Sequence, residues 1–341
     1  MLFLVNEQTG VVESFNMGSR TASLSRRFFH FFNKEPLRKM RRVKGSLKKA
    51  TIFVVIFAIT FVCIRMFQDE SMKHQKNKVE YTVQKDILYT EPARLPQTFD
   101  LYKPINQIGP TPALIFVHGG SWKHGSKELN KRWKTVFEEI VKEGYSAISI
   151  DYTLYSPKDY SYNDPVRDVE TAINFVYKNA KKLGIDRSQI GLAGASAGGH
   201  LALLTGLKAD IQPKLNYIIA WYPISDLTTM NQSPSSRSTE IVERFMNSTA
   251  GQMADEYNRM SPIQYVKHAK IPIFIVHGTG DTLVPFSQSE EFARKNPKMV
   301  TLIALEHGNH GFTNLSIQAS TNDTINYLKA RLKEKNKVGT F

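Results

Sequence analysis

The sequence predicts an α/β protein whose mainly parallel sheet carries helices on both faces. From about residue 81 onward, short runs of β-branched and aromatic residues alternate with segments whose apolar residues recur at helical spacing. This alternation is typical of βαβ units, which build parallel sheets. Several of the short runs are almost continuously apolar, as strands buried on both faces are.

The expected strands follow one another at intervals that leave room for helices between them. They are 79–88, 99–104, 113–117, 147–150, 190–193, 217–221, 271–276 and 300–305. Three helices are indicated by apolar stripes. The stripes are Trp133, Val136, Phe137, Ile140 and Val141, then Val169, Ala172, Ile173 and Val176, then Ile325, Leu328 and Leu332. Gly184, after the second stripe, is a helix C-cap signal.

A polar stretch separates two of the expected strands. Between Asp226 and Ser261 the chain starts Ser/Pro-rich and then contains helical patches. An insertion of this length between sheet strands is typical of a lid over a site. We therefore expect one large domain, residues 81–335, with a small cap insertion near 227–261.

The charge of the chain is concentrated at its N-terminal end. The 341 residues carry a net charge of +14, but residues 1–80 hold 15 Lys/Arg against 6 Asp/Glu and the rest 30 against 25. No zinc-knuckle or RNP-like pattern accompanies the basic stretch, so we expect no nucleic-acid partner. The single cysteine, Cys63, rules out a disulfide within the chain.

A short apolar run follows the basic stretch. Residues 50–64 contain no charge, and Met66 and Phe67 extend the run past Arg65, whose head group can reach the interface. The expected order is a basic, disordered cytoplasmic tail (1–49), a transmembrane signal anchor (50–67) and a linker (68–80). The positive-inside bias then places the body outside the cell, tethered by a single pass through the membrane. The alternatives are a signal peptide that is cleaved to release a secreted protein, with translation starting at Met40, or a buried soluble helix.

The strongest chemical signal is a run of small residues around one serine. Residues 194–198 read Gly-Ala-Ser-Ala-Gly, between the strand at 190–193 and a helix expected to begin near His200. This is the G-x-S-x-G nucleophile pattern in its strand–turn–helix setting. Ser196 would lie at the helix N-terminus, where free N–H groups favour developing negative charge. The alternative is an ordinary glycine-rich turn that binds a phosphate.

A second glycine-containing turn lies upstream. His118-Gly119-Gly120-Ser121 follows the strand at 113–117. Acyl transfer needs N–H donors aimed at an oxyanion, and a turn of this kind can supply them. We assign the oxyanion hole to Gly120 and Ser121, with Gly119 adjacent, and to the N–H of Ala197. His118 is interpreted as a structural residue of the turn.

An acid and a base follow later strands. Asp281 comes after the strand at 271–276, and His310 comes after the final strand. A serine hydroxyl needs an imidazole to accept its proton, and the imidazole needs a carboxylate to fix its tautomer. His307 is the alternative base. Asp226 is the alternative acid, and a capping role would explain it equally well.

Together these segments resemble a known family. The stretches FVHGGSW, IGLAGASAGGHLALL, IVHGTGDTLVPFSQSE and HGNHGF are similar to α/β-hydrolases of the hormone-sensitive-lipase-like group, above all its bacterial carboxylesterase branch with feruloyl- and acetyl-xylan-esterase-like members. The resemblance covers about residues 81–332. It implies the α/β-hydrolase fold and a triad of Ser196, Asp281 and His310. Ser121 departs from the third glycine of many relatives, which suggests a narrower acyl pocket.

The expected function is hydrolysis of a carboxylic ester through an acyl-Ser196 intermediate. The substrate would be a small-molecule or glycan-linked ester, and no metal or cofactor would be needed. Two alternatives stay open. One is an amidase or peptidase with the same triad, and the other is a non-catalytic binding module on a hydrolase scaffold.

Overall fold

A computed structural model of the chain describes residues 2–5, 12–15, 60, 65, 80–90, 95–105 and 107–338. The chain divides into two compact units, Met1–Lys78 and Val79–Phe341. In the first unit, β1 (Leu2–Val5) pairs antiparallel with β2 (Val12–Phe15). No helix within the described residues is long and apolar enough to cross a bilayer. The expected anchor at 50–67 lies outside the described residues, apart from positions 60 and 65.

The second unit is built on an eight-stranded sheet with the order β10-β9-β8-β7-β5-β6-β4-β3. Strand β4 pairs antiparallel with β3 and β6, and every other pairing is parallel. The mainly parallel sheet expected from the sequence is thus confirmed. The strands are β3 (Tyr81–Leu88), β4 (Thr98–Pro104), β5 (Thr111–Val117), β6 (Ser146–Ile150), β7 (Ile185–Ala195), β8 (Tyr217–Trp221), β9 (Ile273–Gly278) and β10 (Val300–Leu305).

Helices cover both faces of this sheet. They are α1 (Lys131–Lys142), α2 (Asp164–Leu183), α3 (Ala197–Gly206), α4 (Arg237–Met246), α5 (Ala254–Arg259), α6 (Ser287–Lys295) and α7 (Asn314–Val338). Alternate residues of β5 enter different cores: Ile115 packs with α2 and α3, whereas Phe116 packs with α1 and α7. Because side chains alternate along a strand, the two cores lie on opposite faces of the sheet.

Two boundaries near the site differ from the sequence expectation. Strand β7 begins at Ile185, five residues before the expected start. Its first half is polar and half-exposed, so the apolar pattern did not reveal it. Helix α3 begins at Ala197 rather than near His200. Two glycines in its first turn disfavour a helix locally, but all ten of its residues are buried and tertiary packing holds them in place.

The topology brings four loops together. In parallel strands the carboxyl ends meet at one edge of the sheet, where sites in open α/β sheets form. Strands β5, β7, β9 and β10 end just before His118, Ser196, Asp281 and His310 respectively. The segment between β8 and β9 adds a 3-10 turn (Leu227–Gln232) and helices α4 and α5.

Candidate active site

Ser196 occupies the single residue between β7 and α3. Its φ of 54° and ψ of −120° lie in a region of backbone conformation that residues with a Cβ rarely adopt. Ser196 is the N-cap residue of α3, but its side chain makes no capping hydrogen bond to the helix. The turn tolerates only small neighbours: a Cβ on Gly198 would lie 2.1 Å from the carbonyl oxygen of Val117. The small-residue pattern of the sequence therefore follows from backbone packing.

His310 lies within hydrogen-bond distance of the serine. Its Nε2 is 3.0 Å from Ser196 Oγ. The ring also meets the buried ring of Tyr222 edge to face, with 4.8 Å between centroids. Tyr222 immediately follows β8 and fixes one side of the imidazole, a contact that the sequence analysis did not identify.

Asp281 completes the line of hydrogen bonds. Its Oδ2 lies 2.7 Å from His310 Nδ1, and its Oδ1 accepts hydrogen bonds from the N–H groups of Leu283 and Val284, both at 2.9 Å. Burial opposes ionisation of this carboxyl. Hydrogen bonds from His277 and His310 outweigh that effect and hold the pKa of Asp281 well below its usual range. A carboxylate is therefore present wherever the protein is folded at ordinary pH.

His277 is a second imidazole at the same carboxylate, and sequence reasoning missed its role. It is fully buried, and its Nε2 lies 2.9 Å from the carbonyl oxygen of Val284 and 3.3 Å from Asp281 Oδ2. A carbonyl oxygen can only accept, so Nε2 carries the proton and Nδ1 can accept from Ser289 Oγ at 2.7 Å. The signal available in the sequence was its place at the end of the apolar run that forms β9.

The turn after β5 lies against the serine. A Cβ added to Gly119 would come within 3.3 Å of Ser196 Cβ. Gly120 has a φ of +123°, which a residue with a side chain rarely adopts, and Ser121 has a φ of 56°. In the part of the chain that the structure describes, no hydrogen bond engages the backbone N–H of Gly119, Gly120, Ser121 or Ala197. These four amides are thus free to bind an anionic oxygen near Ser196.

The competing residues lie elsewhere. The His307 side chain is 93% exposed and its Nε2 lies 3.9 Å from the exposed carboxylate of Glu306. Asp226 Oδ1 accepts from the N–H and the hydroxyl of Thr228, and so caps the 3-10 turn that follows it. His118 Nδ1 is 2.7 Å from the carbonyl oxygen of Gly119, and burial lowers its pKa.

A pocket opens beside the serine. It is lined by Ser121, Trp122, Ser196, Ile224, Met230, Ser238, Ile241, Val242, Leu283 and Val284. No lining side chain is ionisable, and most are apolar. The segment 227–261 between β8 and β9 supplies four of the ten residues. Among the described residues, no group of three or more His, Cys, Asp or Glu side chains could hold a metal ion.

The arrangement can activate a hydroxyl. His310 Nδ1–H can donate only to the carboxylate, which leaves Nε2 to accept the proton of Ser196. The sheet order and the position of this serine at the strand–helix turn define the class as the α/β-hydrolase fold. Solved structures share it: Esterase B from Lactobacillus rhamnosis superposes with a TM-score of 0.62 over 82% of this chain and 98% of that one, at 18% identity.

Residues 99–295 match the BD-FAE family, and the chain belongs to it. The esterase Est2 from the planctomycete Thermogutta terrifontis is 26% identical, with a TM-score of 0.59, and the match covers 74% of this chain and 92% of Est2. Esterase LipC from Mycobacterium tuberculosis is 28% identical over 260 residues, 71% of this chain but 62% of LipC. The chain spans 51% of another curated relative, the probable carboxylic ester hydrolase LipM of the same organism.

Proposed function

We propose that this protein is a serine carboxylesterase. The observation that carries the proposal is the continuous hydrogen-bonded line from Ser196 through His310 to Asp281, with distances of 3.0 and 2.7 Å. A hydroxyl, an imidazole and a buried carboxylate in this order are the parts that a nucleophilic serine requires. The names of the relatives LipC and Est2, both esterases, support the same reaction.

Acylation begins when Ser196 Oγ attacks the ester carbonyl carbon while its proton moves to His310 Nε2. Asp281 stabilises the imidazolium that forms. The carbonyl oxygen becomes an oxyanion, and the free N–H groups of Gly120, Ser121 and Ala197 are its donors. Loss of one such donor in hydrolases lowers kcat by about 10²–10³-fold. The tetrahedral intermediate then collapses, the C–O bond breaks, and His310 gives its proton to the departing alcohol.

Deacylation repeats the same steps with water in place of the serine. His310 Nε2 takes a proton from water, whose oxygen attacks the acyl-Ser196 carbonyl. The intermediate expels Ser196 Oγ, which recovers its proton from the imidazolium. The products are a carboxylic acid and the free, regenerated enzyme, so no cofactor takes part in the cycle.

The natural substrate is proposed to be a small-molecule or glycan-linked ester. Est2 has been solved with propionate bound, which supports a small carboxylic acid as the product. An ester panel that varies acyl length and aromaticity defines the preference. Short-chain esters and matched amides, compared by kcat/KM, separate an esterase from an amidase.

The test of the proposal combines labelling and mutation of the serine. A fluorophosphonate probe should label the wild-type protein but not Ser196→Ala. The variant should lose on the order of 10⁴–10⁶ in kcat on an activated ester while keeping its fold, since little packing is lost. An unlabelled wild type would favour a non-catalytic binding module. Ester hydrolysis by the variant within about tenfold of the parent would exclude Ser196 as the nucleophile.

We also propose a cap over the active site and a membrane anchor near the N-terminus. The pocket lining supplied by the segment 227–261 supports its role as a cap. For residues 50–67, the apolar run and the basic stretch before it support a single-pass signal anchor with the catalytic domain outside the cell. Protease added to intact cells should then reach residues beyond Met72. Digestion of the tail with full protection of the body would reverse this orientation.

A further inference from the structure

Helix α4 of the insertion forms one wall of the pocket beside Ser196. Ile241 and Val242 on this helix, and Met230 in the 3-10 turn before it, all line the pocket. Each of the three side chains is buried, with 9%, 2% and 3% of its surface exposed. The pocket that they line has no ionisable side chain in its lining. It therefore suits an uncharged hydrocarbon chain.

This wall is tied to the loops that carry the candidate catalytic groups. Ser238 Oγ on α4 donates to the carbonyl oxygen of Leu283 at 2.6 Å, and Ser233 Oγ donates to that of Thr282 at 2.9 Å. On the other side, the ring of Phe245 stacks on Trp122 with 4.1 Å between centroids. The wall is thus held to the loop after Asp281 and to the loop after β5, and it cannot retreat without breaking both contacts.

We propose that α4 sets an upper limit on the length of the acyl group, with Ile241 as the main determinant, so that the preferred substrates carry short, uncharged aliphatic acyl chains. This rests on the proposed esterase function and names the substrate class of the same site.

The size of the effect follows from the side chain. Ile241→Ala removes three carbon atoms from the wall and makes room for about as many methylenes. Each methylene newly buried in the transition state raises kcat/KM by about fourfold. The ratio of kcat/KM for octanoate to that for butyrate should therefore rise by about tenfold or more in this variant. Ile241→Phe, which fills the space, should lower the ratio of butyrate to acetate by about fivefold or more.

The experiment measures kcat/KM for p-nitrophenyl acetate, butyrate and octanoate with the full-length protein and four variants. Met246→Ala is the matched control, because Met246 is on the same helix and buried but does not line the pocket. It should lose stability and keep both ratios within about twofold of the wild type. Ile241→Val supplies a smaller shift in the same direction as Ile241→Ala, in case the larger cavity prevents folding.

Opposite shifts in the alanine and phenylalanine variants, with an unchanged control, support the proposal. If acetate is hydrolysed but both ratios stay within about twofold in all Ile241 variants, the length limit lies elsewhere and the proposal is wrong. An equal shift in Met246→Ala would overturn it too, since general loosening of the cap would then be the cause. Failure of the proposed function gives a different result: no Ser196-dependent hydrolysis of any of the three esters.

Discussion

Replacement of Asp281 by asparagine tests the geometry of the site with almost no change in volume. In the wild type, Oδ2 accepts from His310 Nδ1 at 2.7 Å and lies 3.3 Å from the protonated Nε2 of His277. Oδ1 accepts from two backbone N–H groups. The side-chain oxygen of the asparagine must stay with those two amides, which places its NH₂ group opposite both imidazoles.

The expected loss of kcat follows from the hydrogen-bond donors that the asparagine side chain would present to the two imidazoles. An NH₂ group facing His310 favours the tautomer with the proton on Nε2, which cannot accept the proton of Ser196. In addition, the imidazolium loses its charged partner. The same substitution in a serine protease triad lowers kcat by about 10⁴-fold, so we expect a loss of about 10³–10⁴-fold here. The donor of His277 would also face a donor, which destabilises the fold by roughly 1–3 kcal/mol.

Asp226→Asn is the matched control, and one assay serves both variants. Asparagine caps a turn as well as aspartate does. Because Asp226 only caps the turn that begins at Leu227, its variant should keep kcat within about threefold of the wild type. Measuring kcat for p-nitrophenyl acetate with the three proteins decides the matter. If Asp281→Asn retains more than about a tenth of the activity, or Asp226→Asn is the inactive variant, the assignment of the acid is wrong.

Three further predictions concern the same loops. His310→Ala should lower kcat by about 10³-fold or more while His307→Ala stays within about twofold, as measured on the same ester, and the reverse order would identify His307 as the base. Gly198→Ala should lower the free energy of unfolding by about 1–3 kcal/mol in urea melts, because its Cβ would meet the carbonyl oxygen of Val117. Gly251→Ala, with open space around the new Cβ, should change it by less than about 0.5 kcal/mol, and equal losses would contradict this explanation. The depressed pKa of Asp281 stabilises the fold fully above its unfolded value of about 3.9, and this contribution is lost as the pH falls towards the folded value. The difference in unfolding free energy between the wild type and Asp281→Asn should therefore shrink as the pH falls below about 4, and a difference that grows below that pH would refute it.

The sequence predicted the apolar strands better than the polar part of β7. Strands β8 and β10 begin and end where their apolar runs do. The first half of β7 was missed because it is polar, and its pairing with β5 is irregular between the pairs Thr111–Ile185 and Ala113–Ile190. For α3, the glycines of the tight turn concealed a helix that tertiary packing enforces. Local pattern thus indicates burial, but the limits of an element also depend on its neighbours.

At the site, too, the residues of short local motifs could be predicted, whereas contacts between residues distant in sequence could not. Ser196, Asp281 and His310 could be named because each follows a recognisable strand and belongs to a short motif. The support for Asp281 from His277 was not evident, because nothing in the local sequence shows which way a buried imidazole points. The contact between Phe245 and Trp122 spans more than a hundred residues and has no sequence signature. Pocket walls are therefore harder to foresee than the reacting groups.

The backbone of Ser196 has a consequence for the evolution of this protein. A residue other than glycine at φ 54° and ψ −120° has backbone strain of about 1–3 kcal/mol, which glycine would not have. Ser196→Gly should then be both inactive and more stable than the parent. Selection for thermostability alone would favour the loss of the nucleophile. A search for thermostable variants must therefore measure esterase activity in every round of selection.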